Sequence, residues 1–340
     1  MKSRVAIILL TYNTLTKVGE KFINLMIKSV LDQDYPYLML IIVDNHSHDK
    51  TSIYFREVLN DIGIEYHIIK LSKNYGYAGG NNIGALYAVR HNADFLFFMN
   101  DDVILLDKNL ISTLVNRLVK DEGLGAVQPL IINRDGSVNC GFRCGLSSIL
   151  PKMSDSGERI FFVSGATFLT KSKTFLDIGM FDSDFFLYHD DVDYSWRLWL
   201  SGYRIECVKD VKAYHIGSAT LGVENPRFYY FMLRNAVWTI AKNSSISMLI
   251  PRLALLFSES FISYVLNHAF IKRDPRLVKA DIQGLVEGIK NLSTAFSKRI
   301  FIQKNRKVSE RLINKIMDPR VDVELLFPKT LRRILLKERK

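Results

Sequence analysis

The first hundred residues alternate between short apolar runs and helical stripes. Residues 5–10 are β-branched and apolar, and they end in Thr11-Tyr12-Asn13. A second run, 38–43, ends in Asp44-Asn45. Residues 66–71 give a third and 94–99 a fourth, the last ending in Asn100-Asp101-Asp102. Between them, Phe22, Leu25, Met26, Ser29, Val30 and Gln33 share one side of a predicted helix. Asp49 reads as the N-cap of a helix over 51–59, and 79–90 reads as a third helix. Strands that are apolar throughout and joined by helices predict a mostly parallel sheet covered on both faces. Such sheets bind ligands beyond the carboxyl ends of their strands. The three polar strand ends are therefore expected along one crevice.

The pattern is less regular from residue 123 to about 216. Short strands are expected within 161–169 and a helix over 171–178. After Tyr214-His215 the composition shifts to aromatic-rich helical patterns over 228–241 and 247–271. Leu253, Leu256, Phe257, Phe261, Tyr264 and Val265 fit one helical face. Two readings stand for that face, packing on the body of the protein or lying on a membrane surface. Residues 253–271 are long enough to span a bilayer, but Glu259, Asn267 and His268 interrupt them, which disfavours spanning.

Charge narrows the partners. The net charge is +11 and the pI about 9.4. From Lys298 onward, 14 Lys and Arg stand against 5 Asp and Glu. This excess implies an anionic partner: nucleic acid, an acidic membrane or a phosphorylated substrate. No nucleic-acid motif accompanies it, so nucleic acid is set aside. The apolar run behind Lys2 and Arg4 is too short for a secretory signal. The three cysteines, Cys140, Cys144 and Cys207, give no disulfide framework. Cys140 and Cys144 have the spacing of half a zinc site, but no second half follows. Reduced thiols in a cytoplasmic protein are expected.

Four constellations carry candidate chemistry. Carboxylates at Asp101 and Asp102, after Asn100, suit a hard divalent cation bridging a diphosphate; a turn and helix cap is the bland alternative. His189-Asp190-Asp191-Val192-Asp193 crowds three carboxylates behind the aromatic 185–188 segment. One of them, dried by those neighbours, would have a raised pKa and serve as a base; an exposed acidic helix start is the alternative. The glycine-rich 74–84 segment offers close backbone approach to a phosphate or sugar, without a dinucleotide or Walker spacing. His215 matters only if the fold brings it to the cation.

Together these residues resemble family 2 glycosyltransferases of the GT-A fold, in the rhamnosyltransferase-like branch. The resemblance runs from about Val5 to Asn243. It rests on motifs in order at 7–13, 42–49 (V-D-N-x-S-x-D), 74–84, 98–103, 165–181, 185–202 and 215–218. It implies an α/β GT-A nucleotide-diphospho-sugar transferase fold, a mostly parallel mixed sheet flanked by helices, with a helical C-terminal extension. The catalytic domain would be 1–222, its donor half about 1–103 and its acceptor half about 104–222. Residues 223–340 would form a basic helical region, peripheral on the cytoplasmic face of a membrane.

The implied activity is inverting transfer of a sugar from a nucleotide diphosphate, UDP or dTDP foremost, to a hydroxyl of a glycan or lipid-linked glycan. Thr11, Tyr12, Asn13, Asp44 and Asn45 would bind the nucleotide. Asn74, Gly76, Gly79, Gly80 and Asn81 would shape the donor pocket with Asn100 and Asp101. Asp102 and His215 would hold Mn²⁺ or Mg²⁺. Asp191 would be the general base, beside Asp190. Asn100 replaces an Asp of the family's D-x-D motif, and Asp190 replaces the usual Glu. A non-catalytic sugar-nucleotide-binding module on the same fold is the alternative. A nucleotidyltransferase would want a Gly-rich basic segment after the first strand, where Thr11-Tyr12-Asn13 stands.

Overall fold

The computed structural model describes residues 3–60, 63–147, 151–217 and 224–319. The first four apolar runs are strands: β1 (Val5–Thr11), β2 (Leu38–Asp44), β3 (Glu65–Lys70) and β4 (Phe95–Asn100). They are joined by helices α1 (Thr14–Leu31), α2 (Thr51–Val58) and α3 (Gly76–Arg90). All four strands are parallel, in the order β3-β2-β1-β4. The chain leaves β1 toward β2 on one side and returns to β4 on the other, which opens a crevice at their carboxyl ends.

Helix α3 begins at Gly76, three residues before the expected start. Its glycines let it lie directly on β1. A Cβ on Gly80 would come within 2.4 Å of Leu10, and one on Gly84 within 2.7 Å of Ile8.

Residues 103–215 extend the same sheet. They contain β5 (Val103–Leu105), α4 (Leu110–Lys120), β6 (Leu124–Asn133) and the short β7 (Val138–Asn139). A separate hairpin joins β8 (Phe142–Cys144) to β9 (Pro151–Met153). Next come β10 (Thr167–Lys171), α5 (Ser172–Asp177), α6 (Asp190–Leu200) and β11 (Arg204–His215). Strand β10 lies antiparallel between β4 and β6, and β11 pairs with both β6 and β5. That order carries His215, at the end of β11, opposite Val103.

The C-terminal region is helical: α7 (Pro226–Asn243), α8 (Ile246–Ser260), a π-helical continuation (Phe261–Ile271), α9 (Pro275–Lys290), α10 (Leu292–Lys304) and α11 (Glu310–Ile316). Pro226 starts α7 at a position needing no N–H, and Asn225 accepts from the Arg227 N–H. These helices share one core with α6: Trp196 and Leu200 pack with Leu233, Val237, Leu256, Leu277 and Ile302. Gly284 and Gly288 bring α9 close to α7, where a Cβ would meet Tyr230 O at 2.7 Å and Val237 at 2.9 Å. The expected boundary at 222, the end of the 215–218 motif and the basic tail at 320–340 lie outside the described residues.

One expectation is overturned. Cys140 and Cys207 are joined as a disulfide across 67 residues, with Cα atoms 5.4 Å apart. Cys144 is buried and keeps its thiol. Sequence spacing gave no hint of the pair, because the sheet order alone brings the segment after β7 against β11.

Candidate functional site

The carboxyl ends of β4 and β11, the segment before β10 and the start of α6 enclose a pocket of about 450 Å³, which the expected nucleotide contacts Thr11, Tyr12, Asn13, Asp44 and Asn45 do not line. Its polar wall holds Asn100, Asp102, His215, Tyr77, Asp190 and Asp191. Phe142, Phe162, Tyr188 and Phe228 close the opposite side. A larger hollow, about 1070 Å³, lies at the other end of the strands beside Arg4 and Glu65. No group of catalytic type converges there.

Asp102 and His215 meet as expected. Asp102 Oδ1 is buried and takes no hydrogen bond, though His215 Nε2 lies 3.2 Å away. The two lie within ion-pair distance, and a buried carboxylate oxygen beside an imidazole nitrogen also suits two ligands of one divalent cation. No group of three or more His, Cys, Asp or Glu side chains forms a metal cage among the described residues. A cation here would take its remaining ligands from substrate or water. Asp101 points elsewhere: it accepts from the Thr14 hydroxyl, and burial raises its pKa to about 6.

The acidic run divides by helix geometry. Residues two apart on a helix face opposite sides. Asp193 turns inward to Arg197 at 2.9 Å and Lys242 at 2.9 Å, which hold it ionised despite burial. Asp191 turns to the pocket. Its Oδ2 accepts from the Gly165 N–H at 3.1 Å and its Oδ1 from the Val192 N–H at 2.9 Å. Burial outweighs these bonds and raises the Asp191 carboxyl to about 6. Burial, reinforced by Asp191, pushes Asp190 well above the usual carboxylate range, and its Oδ1 has no hydrogen-bond partner. Burial also lowers His189 to about 4, leaving it neutral near pH 7. The exposed acidic helix start is thus excluded, since Asp190 and Asp193 are buried.

The residues expected to bind the nucleotide are more varied than that expectation. Asp44 accepts from the Ser47 N–H at 2.8 Å, and its Oδ2 is buried without a hydrogen-bond partner. Tyr12 stands beside His48 and under Lys17, with His46 against His48 at 4.9 Å. Asn13, in a left-handed conformation, accepts from the His48 N–H. Thr11 instead donates into the sheet, to Val43 O.

Asn45 and Asn74 are bound to each other at 3.0 Å. Asn45 also donates to Gly76 O and accepts from the Tyr75 N–H, so these side chains pin the glycine loop. Gly79, Gly80 and Asn81 are buried inside α3 and do not line the pocket. Asn81 donates to Tyr77 O. Their part is packing α3 against its surroundings.

Several residues of the site had not been singled out from the sequence. Tyr77 donates its hydroxyl to Gly165 O at 2.7 Å, and Gly165 in turn donates to Asp191. The 185–189 segment holds three non-glycine residues at positive φ: Phe186, Tyr188 and His189. Such backbone persists only where neighbours over-determine it. Asn235, buried on α7, does so by donating to Phe185 O, Leu187 O and Tyr188 O at 2.8–3.0 Å. Arg234 donates to Asp184 O and Phe185 O. The only sequence signal was a polar pair inside an aromatic helical pattern.

Asn235→Asp preserves shape but removes both donors. Turnover is expected to fall about 10–100-fold through misplacement of the loop before Asp191, with nucleotide affinity held. Steady-state kinetics with calorimetry checks this. A loss of stability with turnover intact would leave Asn235 only a packing role.

This sheet order is that of the GT-A glycosyltransferase fold. The chain belongs to glycosyl transferase family 2, which it matches over residues 6–195, and it is an enzyme of that class. It is 24% identical over 312 residues to the dTDP-rhamnosyl transferase RfbF of Shigella flexneri, covering 86% of this chain and 98% of that one. Among solved structures, S. aureus TarS 1-349 in complex with UDP shares the fold with a TM-score of 0.56 and 17% identity, covering 92% of this chain and 90% of that one. The mannosyltransferase PcManGT of Pyrobaculum calidifontis, in complex with GDP-Man and Mn²⁺, has a TM-score of 0.52 and 17% identity, covering 93% and 88%.

Proposed function

We propose that this enzyme transfers a hexosyl or deoxyhexosyl group, with inversion, from a UDP- or dTDP-sugar to a hydroxyl of a glycan or lipid-linked glycan. The observation that carries this reading is the convergence of Asp191 with the Asp102–His215 pair on one pocket. The relatives support it, one being a dTDP-rhamnosyl transferase and two being bound to UDP or to GDP-Man with Mn²⁺.

The acceptor hydroxyl gives its proton to Asp191 as its oxygen attacks the anomeric carbon. The bond from that carbon to the diphosphate breaks on the opposite face, and the nucleoside diphosphate leaves. Gly165 and Val192 N–H groups aim the Asp191 carboxylate, and Tyr77 fixes Gly165. Asp44, whose Oδ2 is buried without a hydrogen-bond partner, would accept from the base or ribose. A divalent cation held by Asp102 and His215 would neutralise charge on the leaving diphosphate. Asn100 offers that site an uncharged amide.

The test is nucleoside diphosphate release from a panel of UDP-, dTDP- and GDP-sugars with Mn²⁺, Mg²⁺ or EDTA. The expected result is release from a UDP- or dTDP-sugar, abolished by EDTA. Release indifferent to EDTA would remove the cation from the reading. No release, with no calorimetric binding of any free nucleotide, would overturn the function.

A further inference from the structure

Among the described residues, one helix is long and apolar enough to cross a membrane, Ile246–Ile271, and only 33% of its most apolar stretch is buried. Its inner side is fixed to the enzyme. Leu249, Leu256 and Tyr264 lie in the core shared with α6 and α7. Arg252 is fully buried, pairs with Glu310 at 2.7 Å and stacks on Trp196. His268 is buried on Asp281 at 2.7 Å. Withdrawing this helix to span a bilayer would leave buried charges without their partners, at a cost of several kcal/mol each. That cost, and the placing of Arg252 at membrane depth, weigh against spanning.

The outer side remains apolar. Phe270 is 72% exposed and Ile282 49%. They line one groove with Val278, Arg273 and Lys279. Along α9 the exposed row continues through Val286 and Ile289, at helical spacing from Ile282. The opposite side of α9 (Leu277, Ala280, Gly284 and Gly288) is buried.

The charges bordering this row are mostly cationic. Lys272, Arg273, Arg276, Lys279 and Lys290 stand against Asp274, Asp281 and Glu287. Asp281 is buried on His268, Asp274 and Arg276 pair at 2.8 Å and Lys272 faces Glu224 at 3.8 Å, which leaves Arg273, Lys279 and Lys290 against Glu287. Exposed apolar side chains flanked by cations fit the boundary between anionic headgroups and acyl chains. A second copy fits poorly, because a two-fold contact would set this cationic border against itself.

We propose that the face formed by the end of the π-helical stretch and α9 is a docking surface for an anionic lipid bilayer, lying in the interface rather than crossing it. The proposal does not depend on which sugar is transferred.

The test is flotation of the full chain with vesicles of equal parts phosphatidylcholine and phosphatidylglycerol, beside phosphatidylcholine alone. The expected result is co-flotation with the anionic vesicles, at least tenfold weaker with neutral ones and lost in about 1 M salt. Ile282→Asp with Val286→Asp is expected to reduce vesicle binding at least tenfold, while circular dichroism and nucleotide binding stay unchanged. Arg273→Glu with Lys279→Glu is expected to reduce anionic-vesicle binding alone. Absence of flotation, or flotation unaffected by both pairs, would overturn the proposal. So would a dimer, measured by light scattering, that the Ile282/Val286 pair dissociates.

Discussion

Asp191→Asn is expected to lower turnover about 10²–10⁴-fold while leaving nucleotide affinity essentially unchanged. The substitution keeps the size and one oxygen, so the Gly165 contact has an acceptor still available. What it removes is the ability to take a proton. Burial holds the Asp191 carboxyl at about 6, so it is ionised near pH 7 yet more basic than an exposed carboxylate. A base works only without its proton. The wild-type rate therefore rises with pH through about 6 and levels above it, and the residual rate of the variant lacks that limb. Asp190 beside it is also raised well above the usual carboxylate range, by burial and by the Asp191 charge. Retention of more than about a tenth of wild-type turnover would reassign the base.

Gly76→Ala is expected to destabilise the enzyme by about 3 kcal/mol or more and to abolish transfer. Gly76 has φ +72°, a region that disfavours side chains, and an added Cβ would lie 2.1 Å from Phe186 O. The obstacle is backbone and cannot rotate away. The Tyr77 N–H donates to that same carbonyl at 2.6 Å, so the glycine loop and the loop before Asp191 rest on each other. Gly19 supplies the comparison. It has φ +77° and ψ +164°, a region essentially reserved for glycine, but open space around its Cβ position, so Gly19→Ala should cost only the conformational strain, about 1–3 kcal/mol. Urea unfolding of the two variants separates strain from collision. Equal losses would mean that the two loops are not in contact.

The parallel half of the fold was readable because β1, β2 and β4 are continuous, buried apolar runs, while β3, at the sheet edge, carries Glu65, His67 and Lys70 and is only half-buried. The polar ends at Asn13, Asp44 and Asp102 followed from it, and with them the crevice. The helix start at Gly76 was missed because that glycine read as part of the loop before a helix beginning at Gly79, whereas the helix already includes it; Gly80 and Gly84 permit its close packing on β1. Asn45 and Asn74 looked like donor contacts by position, yet their side chains are engaged with each other and with the loop. The aromatic wall at Phe142 and Phe162 could not be placed, since hairpin β8–β9 reaches the pocket through contacts far along the chain.

Alone, the sequence determined the class of chemistry: strand ends rich in Asp and Asn, an aromatic segment drying an acidic run, and a glycine loop. These are local properties, set by residue type and spacing. Only the tertiary structure decided which carboxylate does what. Asp193 was set against Arg197 and Lys242 by its side of α6, and Asp191 was left facing the pocket. The same holds for His215 beside Asp102, for the Cys140–Cys207 bond and for the hold of Asn235 on the 185–188 backbone. Each joins groups distant in sequence, and such contacts follow from the order of strands and the packing of helices, which spacing along a chain does not encode.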